Sequence, residues 1–302
     1  MHVLVTGWFS FEQMGNTAGD MIACDIVCSW LKDAAINYEV AVASPFSYSG
    51  KIKLEDVQAE TVTDIIFVCG PFGNGWPITD LLKRFSHCRL TGINLSLFEP
   101  LDTWNPFHLL HERDSSRATH PDITFIAPPP VIPVVGIILA HKQKEYGVRS
   151  LHEKANAVIE DFISQRELSV VRIDTALEKN QGGLRTPGEV ESLIAKMDVV
   201  ITTRLHGTVL SLKNKVPAIA IDPIADGAKI TKQVETLGWP VLFNAGNVHV
   251  QDLSRAFDYC LTNEGRLKAS ECVSKAVKII ADTRQKFMEE FSIISTSVAS
   301  YG

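Results

Sequence analysis

Two residues that could do chemistry together, Arg204 and His206, stand in the stretch Asp198-Val-Val-Ile-Thr-Thr-Arg-Leu-His-Gly-Thr-Val-Leu-Ser-Leu-Lys213. A guanidinium offers a fixed charge and a fork of donors that suits phosphate or carboxylate, and an imidazole exchanges a proton near neutral pH. The pair therefore suits an anion that must also gain or lose a proton. The flanking residues say what holds it. Val199, Val200, Ile201 and Thr202 are β-branched and read as a buried strand of a parallel sheet. A helix begins near His206-Gly207-Thr208, repeats its apolar positions at Val209, Leu210 and Leu212, and ends near Lys213 and Lys215. Arg204 and His206 thus fall where a strand's carboxyl end meets a helix's amino end. Open α/β folds bind ligands there, and free N–H groups at Gly207 and Thr208 favour an anion. The plainer alternative is an Arg204 to Asp pair with His206 as a helix cap.

The same alternation of strand and helix runs along the chain. Strands are expected over residues 2–6, 38–43, 64–70, 90–97, 131–140, 169–173, 199–202, 218–222 and 241–243. Helical periods start at Met21, Ile78, Leu151, Gly188, Ile230, Val250 and Asn263, the last running to about Ile294. Residues 44–62 read as a short strand or turn. The opening strand leads into Gly15-Asn16-x-x-Gly19-Asp20, which has neither the GxGxxG nor the Walker spacing, so no dinucleotide or P-loop site is implied. Asp20 near a helix start also fits a plain turn. Gly70-Pro-Phe-Gly73-Asn74-Gly75 either brings backbone close to a ligand or simply turns. Residues 99–120 form a long polar and aromatic stretch with Trp104, Phe107, His108, His111 and Arg113, of a length usually functional or mobile. Ala127-Pro-Pro-Pro130 is rigid and extended and reads as the linker between domains 1–129 and 130–302. Polar and basic His141 to Lys144 follow the first strand after it. Thr186 and Pro187 open a helix as cap and first residue, beside Arg185. This pattern alone gives an α/β chain of two domains.

Composition sets bounds. At about 150 residues per domain, 302 residues suggest two domains with their own cores. A hydrophobic fraction of 45% and a charged fraction of 21% are ordinary for a globular protein, and a net charge of -6 argues against general nucleic-acid affinity. No apolar run reaches the roughly 20 residues that span a bilayer, and the amino terminus has no basic lead-in to a secretory signal. The six cysteines are scattered. Cys24 and Cys28 lie four apart on a helix with no second pair near them, which favours buried thiols over a metal site and a reducing cytoplasm.

Asp-x-x-Ile-x-x-Arg-Leu-His-Gly, a helix, and then Val216-Pro217-Ala-Ile-Ala-Ile-Asp222 resembles the signature of the polysaccharide pyruvyl transferase family. The Asn16/Gly19/Asp20 turn, Arg113-Asp-Ser-Ser, Pro121-Asp122, and Asp222 with a displaced Lys229 resemble further elements of it. The resemblance covers most of the chain and is strongest over residues 186–229. It implies two doubly wound, Rossmann-like domains facing a cleft in the glycosyltransferase B-like manner, acceptor side first and donor side second, with the last helix packing back on the first domain. It also implies transfer of a pyruvyl group from phosphoenolpyruvate to a sugar or lipid-linked oligosaccharide as a cyclic ketal. That chemistry needs cations for the donor, a proton for its methylene carbon and a base for the attacking hydroxyl. On this reading Arg204, Gly207 and Thr208 bind the donor, His206 is the acid or a phosphate-binding imidazolium, and Arg113, Arg185 or Lys229 adds a second cation. Asn16, Gly73 and Asn74 face the acceptor, with Asp20 as base. No cofactor and no metal are required, since arginine balances the donor charge. A membrane contact through Trp104 to Phe107 is compatible with the sequence, and nothing in it fixes the oligomeric state. The rival readings are a nucleotide-sugar-dependent glycosyltransferase, with Glu189 or Glu191 on the ribose, and a non-catalytic sugar- or anion-binding relative.

Overall fold

The computed structural model describes residues 1–9, 11, 15–140, 144–178, 180–227 and 229–299, with the backbone alone for 144, 145 and 293–299. His141 to Gln143 lie outside the described residues. The chain divides into two compact units, Met1–Pro129 and Pro130–Gly302.

The first unit holds strands β1 (Val3–Gly7), β2 (Tyr38–Val42), β3 (Ile52–Lys53), β4 (Asp64–Val68), β5 (Pro71–Phe72), β6 (Arg89–Ile93), β7 (Ser96–Leu97) and β8 (Leu109–His111), with helices α1 (Ala18–Asp33) and α2 (Ile78–Arg84). Six strands form one sheet in the order β3-β2-β1-β4-β6-β8, and β5 pairs with β7 apart from it. Every pairing is parallel. The chain starts at β1, builds outward through β2, then returns to β1's other side at β4, so the order reverses between β1 and β4. Residues 90–97 do not form one strand. Asn94, with φ 58, turns the chain between β6 and β7, a left-handed position that asparagine tolerates. Its buried amide donates to Asp122 Oδ2 and its carbonyl accepts the Ile123 N–H.

The second unit holds β9 (Val134–Ile138), α3 (His152–Ser164), β10 (Ser169–Arg172), α4 (Pro187–Ile194), β11 (Val199–Thr202), α5 (Leu205–Lys213), β12 (Ala218–Asp222), α6 (Lys229–Leu237), β13 (Leu242–Asn244), α7 (Val250–Leu261) and α8 (Asn263–Ala299). Its sheet runs β10-β9-β11-β12-β13, again all parallel. β9 begins three residues later than the apolar run suggests, after Pro133, which has no N–H for a ladder. β11 and β12 are buried along their whole length, which is why both read as unbroken apolar runs. Phe162 of α3 and Phe257 of α7 meet over this sheet at 5.5 Å between ring centroids. The first part of α8 packs on α5, α6 and α7.

The α/β class and the parallel sheets therefore stand as the sequence suggests. One local expectation does not. The stretch 99–120 contains β8, and its aromatic pair turns inward: Trp104 stacks on Phe72 at 5.8 Å and Phe107 meets the same ring at 4.7 Å. Both rings are thus partly buried against the core of the first unit. Among the described residues no helix is long and apolar enough to cross a membrane. All six cysteines are free and buried, and Cys24 and Cys28 approach to 4.0 Å between sulfurs.

Phe162 is fully buried, so Phe162→Ala should cost about 3–5 kcal/mol by chemical unfolding, cavity included. Phe125 is 84% exposed, and Phe125→Ala should stay within about 0.5 kcal/mol of the parent.

Candidate functional site

In the second unit the strand order reverses between β9 and β11: β10 lies outside β9, and the next strand returns to β9's other edge. The carboxyl ends of β9 and β11 therefore splay around a crevice, and α5 starts there. Thr202 and Thr203, both buried, tie these ends together. Thr202 Oγ1 donates to the Ile138 carbonyl at 2.8 Å and accepts the Arg204 N–H at 3.0 Å, and Thr203 Oγ1 accepts the Ala140 N–H at 2.8 Å. α5 sits so close that a Cβ on Gly207 would lie 2.2 Å from Thr202 Oγ1 and 2.9 Å from Ile138. Gly207 is thus explained by helix-to-strand approach. Thr208 is fully buried and its hydroxyl donates back to the Arg204 carbonyl at 3.4 Å, so it offers the crevice its helix position and no side chain.

Arg204 is the N-cap residue of α5 and caps nothing with its side chain. The helices α1, α4 and α7 each carry a capping box. The first N–H groups of α5 are left without an intrahelical partner, at the positive end of its dipole. His206, in this first turn, is exposed and has no hydrogen bond or ion pair among the described residues. The Arg204 guanidinium is part-buried and reaches Asp174 Oδ1 at 3.3 Å. Asp174, just beyond β10, also accepts the Ala176 N–H at 2.9 Å. A cavity of about 430 Å³ opens beside it, lined by Ile137, Leu139, Asn156, Arg172, Asp174 and Gln181. Asn156 Oδ1 is buried with no hydrogen-bond partner among the described residues. The cavity thus holds an amide oxygen and Asp174, through which it adjoins the Arg204 guanidinium, while His206 and the uncapped start of α5 lie on the next segment and do not line it.

Sequence reading did not single out Asp174 or Asn156. The position of Asp174 at the carboxyl end of a predicted strand was a usable signal. Asn156 had none, because it faces the crevice only through the packing of α3. The flanking motif carboxylates are structural: Asp198 Oδ2 accepts the Val134 N–H at 2.8 Å, and Asp222 Oδ2 accepts the Thr231 N–H at 3.1 Å near the start of α6.

The other candidates are placed as follows. Arg185 is 84% exposed by its side chain and pairs with Glu189 in the cap of α4. Lys229 is the exposed first residue of α6. In the first unit Arg113 is committed to its neighbours: Nη1 to Asp122 at 2.9 Å, Nε to Asp114 at 3.2 Å and Nη2 to Ser96 Oγ. Asp20 completes the capping box of α1, with Oδ2 accepting the Thr17 N–H at 2.9 Å and hydroxyl at 2.7 Å, while Oδ1 accepts the Cys69 thiol at 3.2 Å. Asn16 lies just before it with Oδ1 buried and without a hydrogen-bond partner among the described residues. Gly73 is pressed by Phe98, 2.8 Å from where a Cβ would sit, and the exposed Asn74 donates its N–H to the Glu99 carboxylate at 3.1 Å.

Two carboxyls of the first unit sit well below their usual range. The Arg117 guanidinium holds Glu112 at about 2 against the effect of its burial. Burial pushes Asp122 up, but hydrogen bonds from Thr124, Arg113 and Asn94 outweigh it and hold it at about 2.

Two parallel α/β units, one with an anion-type site at its switch point, define the class of the chain. Within it, residues 120–223 match the family model for polysaccharide pyruvyl transferase. That span takes in Arg204-Leu205-His206-Gly207, the residues that carry the resemblance. No curated protein matches the chain. Among solved structures, the spinosyn rhamnosyltransferase SpnG complexed with thymidine diphosphate is similar at 10% identity, with 92% of this chain and 96% of that chain covered and a TM-score of 0.32. The glycosyltransferase SnogD from Streptomyces nogalater is similar at 13% identity, 95% and 98% coverage and a TM-score of 0.32. The UDP-GlcNAc 2-epimerase of Methanocaldococcus jannaschii, in complex with UDP-GlcNAc and UDP, is similar at 9% identity, 92% and 99% coverage and a TM-score of 0.31.

Gly207→Ala should cost about 1–3 kcal/mol on thermal unfolding, since a methyl there must push helix or strand aside. Glu112 and Asp122 have folded values below their unfolded ones, so their stabilisation is present at neutral pH and is lost as pH falls from about 4 through about 2. Melting temperature followed from pH 6 to about 2 should fall over that window, and more shallowly in Arg113→Met.

Proposed function

We propose that the chain is a transferase that moves a pyruvyl group from phosphoenolpyruvate to two hydroxyls of a sugar, with phosphate as the leaving group. The observation that carries this is the pair Arg204 and His206 at the uncapped start of α5, inside the span that matches the family model. Phosphoenolpyruvate carries a phosphate and a carboxylate, and the α5 N–H groups and the Arg204 fork suit both. Protonation of its methylene carbon by the His206 imidazolium makes the methyl group and leaves an oxocarbenium-like centre at the adjacent carbon. One sugar hydroxyl attacks that centre as it loses its proton. Departure of phosphate then allows the second hydroxyl to close the ketal. Asp20, the base that the resemblance implies, is taken up by the α1 capping box and the Cys69 thiol, so this scheme assigns no base. Lys229, and Arg185 beside its Glu189 partner, are the exposed cations offered for a second donor contact, whereas Arg113 is tied to Asp122, Asp114 and Ser96. No cofactor enters the scheme.

The rival nucleotide-sugar reading asks for a carboxylate on the ribose. Glu189 is used in the α4 cap, and Glu191 is paired with Lys213 at 2.6 Å and with Asn214. Neither is left to take a ribose.

Thermal unfolding with phosphoenolpyruvate, phosphate, UDP and GDP tests the assignment. A ligand that binds only the folded state at about 100 times its Kd adds about 2.7 kcal/mol of stability. Phosphoenolpyruvate should raise the melting temperature of the parent and not of Arg204→Ala. Release of phosphate with a sugar acceptor should fall by about 100-fold or more in Arg204→Ala and in His206→Ala. A shift with UDP or GDP and none with phosphoenolpyruvate would overturn the reading.

A further inference from the structure

The first unit has a concave site that none of the roles above uses. It is a cavity of about 300 Å³ near the carboxyl end of β2, between Ala43-Ser44 and the start of α2. Its floor is apolar and buried: Phe11, Leu54 and Phe85. Its wall is the Trp76 indole, which remains 52% exposed. An exposed indole beside a buried apolar floor is a surface whose desolvation awaits a ligand.

The charged groups around it decide which ligand. Arg84 lines the cavity but spends its guanidinium on backbone carbonyls, those of Leu54 at 2.8 Å, Glu55 at 3.2 Å and Val57. Glu55 accepts the Ser44 N–H through Oε1 at 2.8 Å, which leaves Oε2. Asp80 has no hydrogen bond or ion pair among the described residues. Among the described lining residues two carboxylates therefore outnumber one guanidinium, whose donors are turned to backbone carbonyls, so the available polar heads accept hydrogen bonds. Such a wall, net negative, offers phosphate, carboxylate and nucleotides no donor fork. It suits a neutral polyol, whose C–H face can lie on the indole while its hydroxyls donate to the carboxylates. The volume stands at the lower end of the roughly 300–1,000 Å³ usual for ligand sites, the size for a sugar ring and not for a long chain.

We propose that this cavity is a carbohydrate subsite for a neutral pyranoside, with Trp76 as the stacking face and Asp80 as the hydroxyl acceptor. The proposal deepens the sugar-transferase reading and rests on it for the biological acceptor, while its binding test does not need turnover. Binding of methyl glucoside, galactoside, mannoside and N-acetylglucosaminide, and of their disaccharides, to the full chain is measured by ligand-observed NMR and calorimetry. At least one should bind the parent. Trp76→Ala should weaken it tenfold or more, Trp76→Phe about threefold and Asp80→Asn severalfold, and Arg204→Ala should bind it as the parent does. If Trp76→Ala does not fold, Trp76→Phe and Asp80→Asn decide. Equal binding by parent, Trp76→Phe and Asp80→Asn would overturn the subsite, as would binding of none of these sugars. Tetramethylammonium held in a Trp76-dependent way in their place would make it a cation site and also overturn it. Trp76-dependent glycoside binding without any phosphoenolpyruvate shift would support the subsite while removing the pyruvyl-transfer reading.

Discussion

The second unit depends on how closely α5 approaches the ends of β9 and β11. With hydrogen at Gly207, the helix settles against Thr202 and Ile138. The Thr202 hydroxyl then bridges the Ile138 carbonyl and the Arg204 N–H, so strand end, helix start and guanidinium backbone share one fixed point. Because the anchor is backbone and buried hydroxyl, the Arg204 side chain is left to reach Asp174 at the crevice, and the His206 side chain stays exposed. A looser helix would still be a helix, but its N–H groups would not point from a defined place.

Where the charges are spent explains the rest. Several cations of the described residues are tied to structure: Arg113 to Asp122, Arg84 to backbone carbonyls, Lys213 to Glu191. The carboxylates behave likewise, with Asp198, Asp222, Glu189 and Asp20 all receiving backbone N–H groups. A polar group drawn into a fold must be hydrogen-bonded, so strand ends and helix starts consume most of the charge a motif displays. The groups left over mark the candidate sites: the His206 imidazole and the Asn156 oxygen in one unit, Asp80 beside Trp76 in the other.

The units differ in what they leave exposed. The crevice of the second unit combines a held cation with an uncapped helix, which selects for negative charge. The cavity at Trp76 offers carboxylates and an indole face, which selects against it. These opposite preferences are what the proposed transfer asks of a donor site and an acceptor site.

Much of this was legible in the residues alone. β-branched runs such as Val199 to Thr202 bury on both faces, so they announce a parallel sheet without any partner being known. Thr186-Pro187-x-Glu189 specifies a helix start by local hydrogen bonding, and Arg204 and His206 fall at a strand-helix junction by spacing alone. Local chemistry decides such features, so the sequence determines them. It could not say that Trp104 and Phe107 turn inward onto Phe72, because that depends on β8 adding to the sheet edge beside β6. Nor could it say that Asp174, thirty residues before Arg204, is the group that holds it, or that Arg113 and Arg84 are spent. Those outcomes rest on contacts between segments distant in the chain, and only the tertiary structure brings the partners within hydrogen-bonding reach.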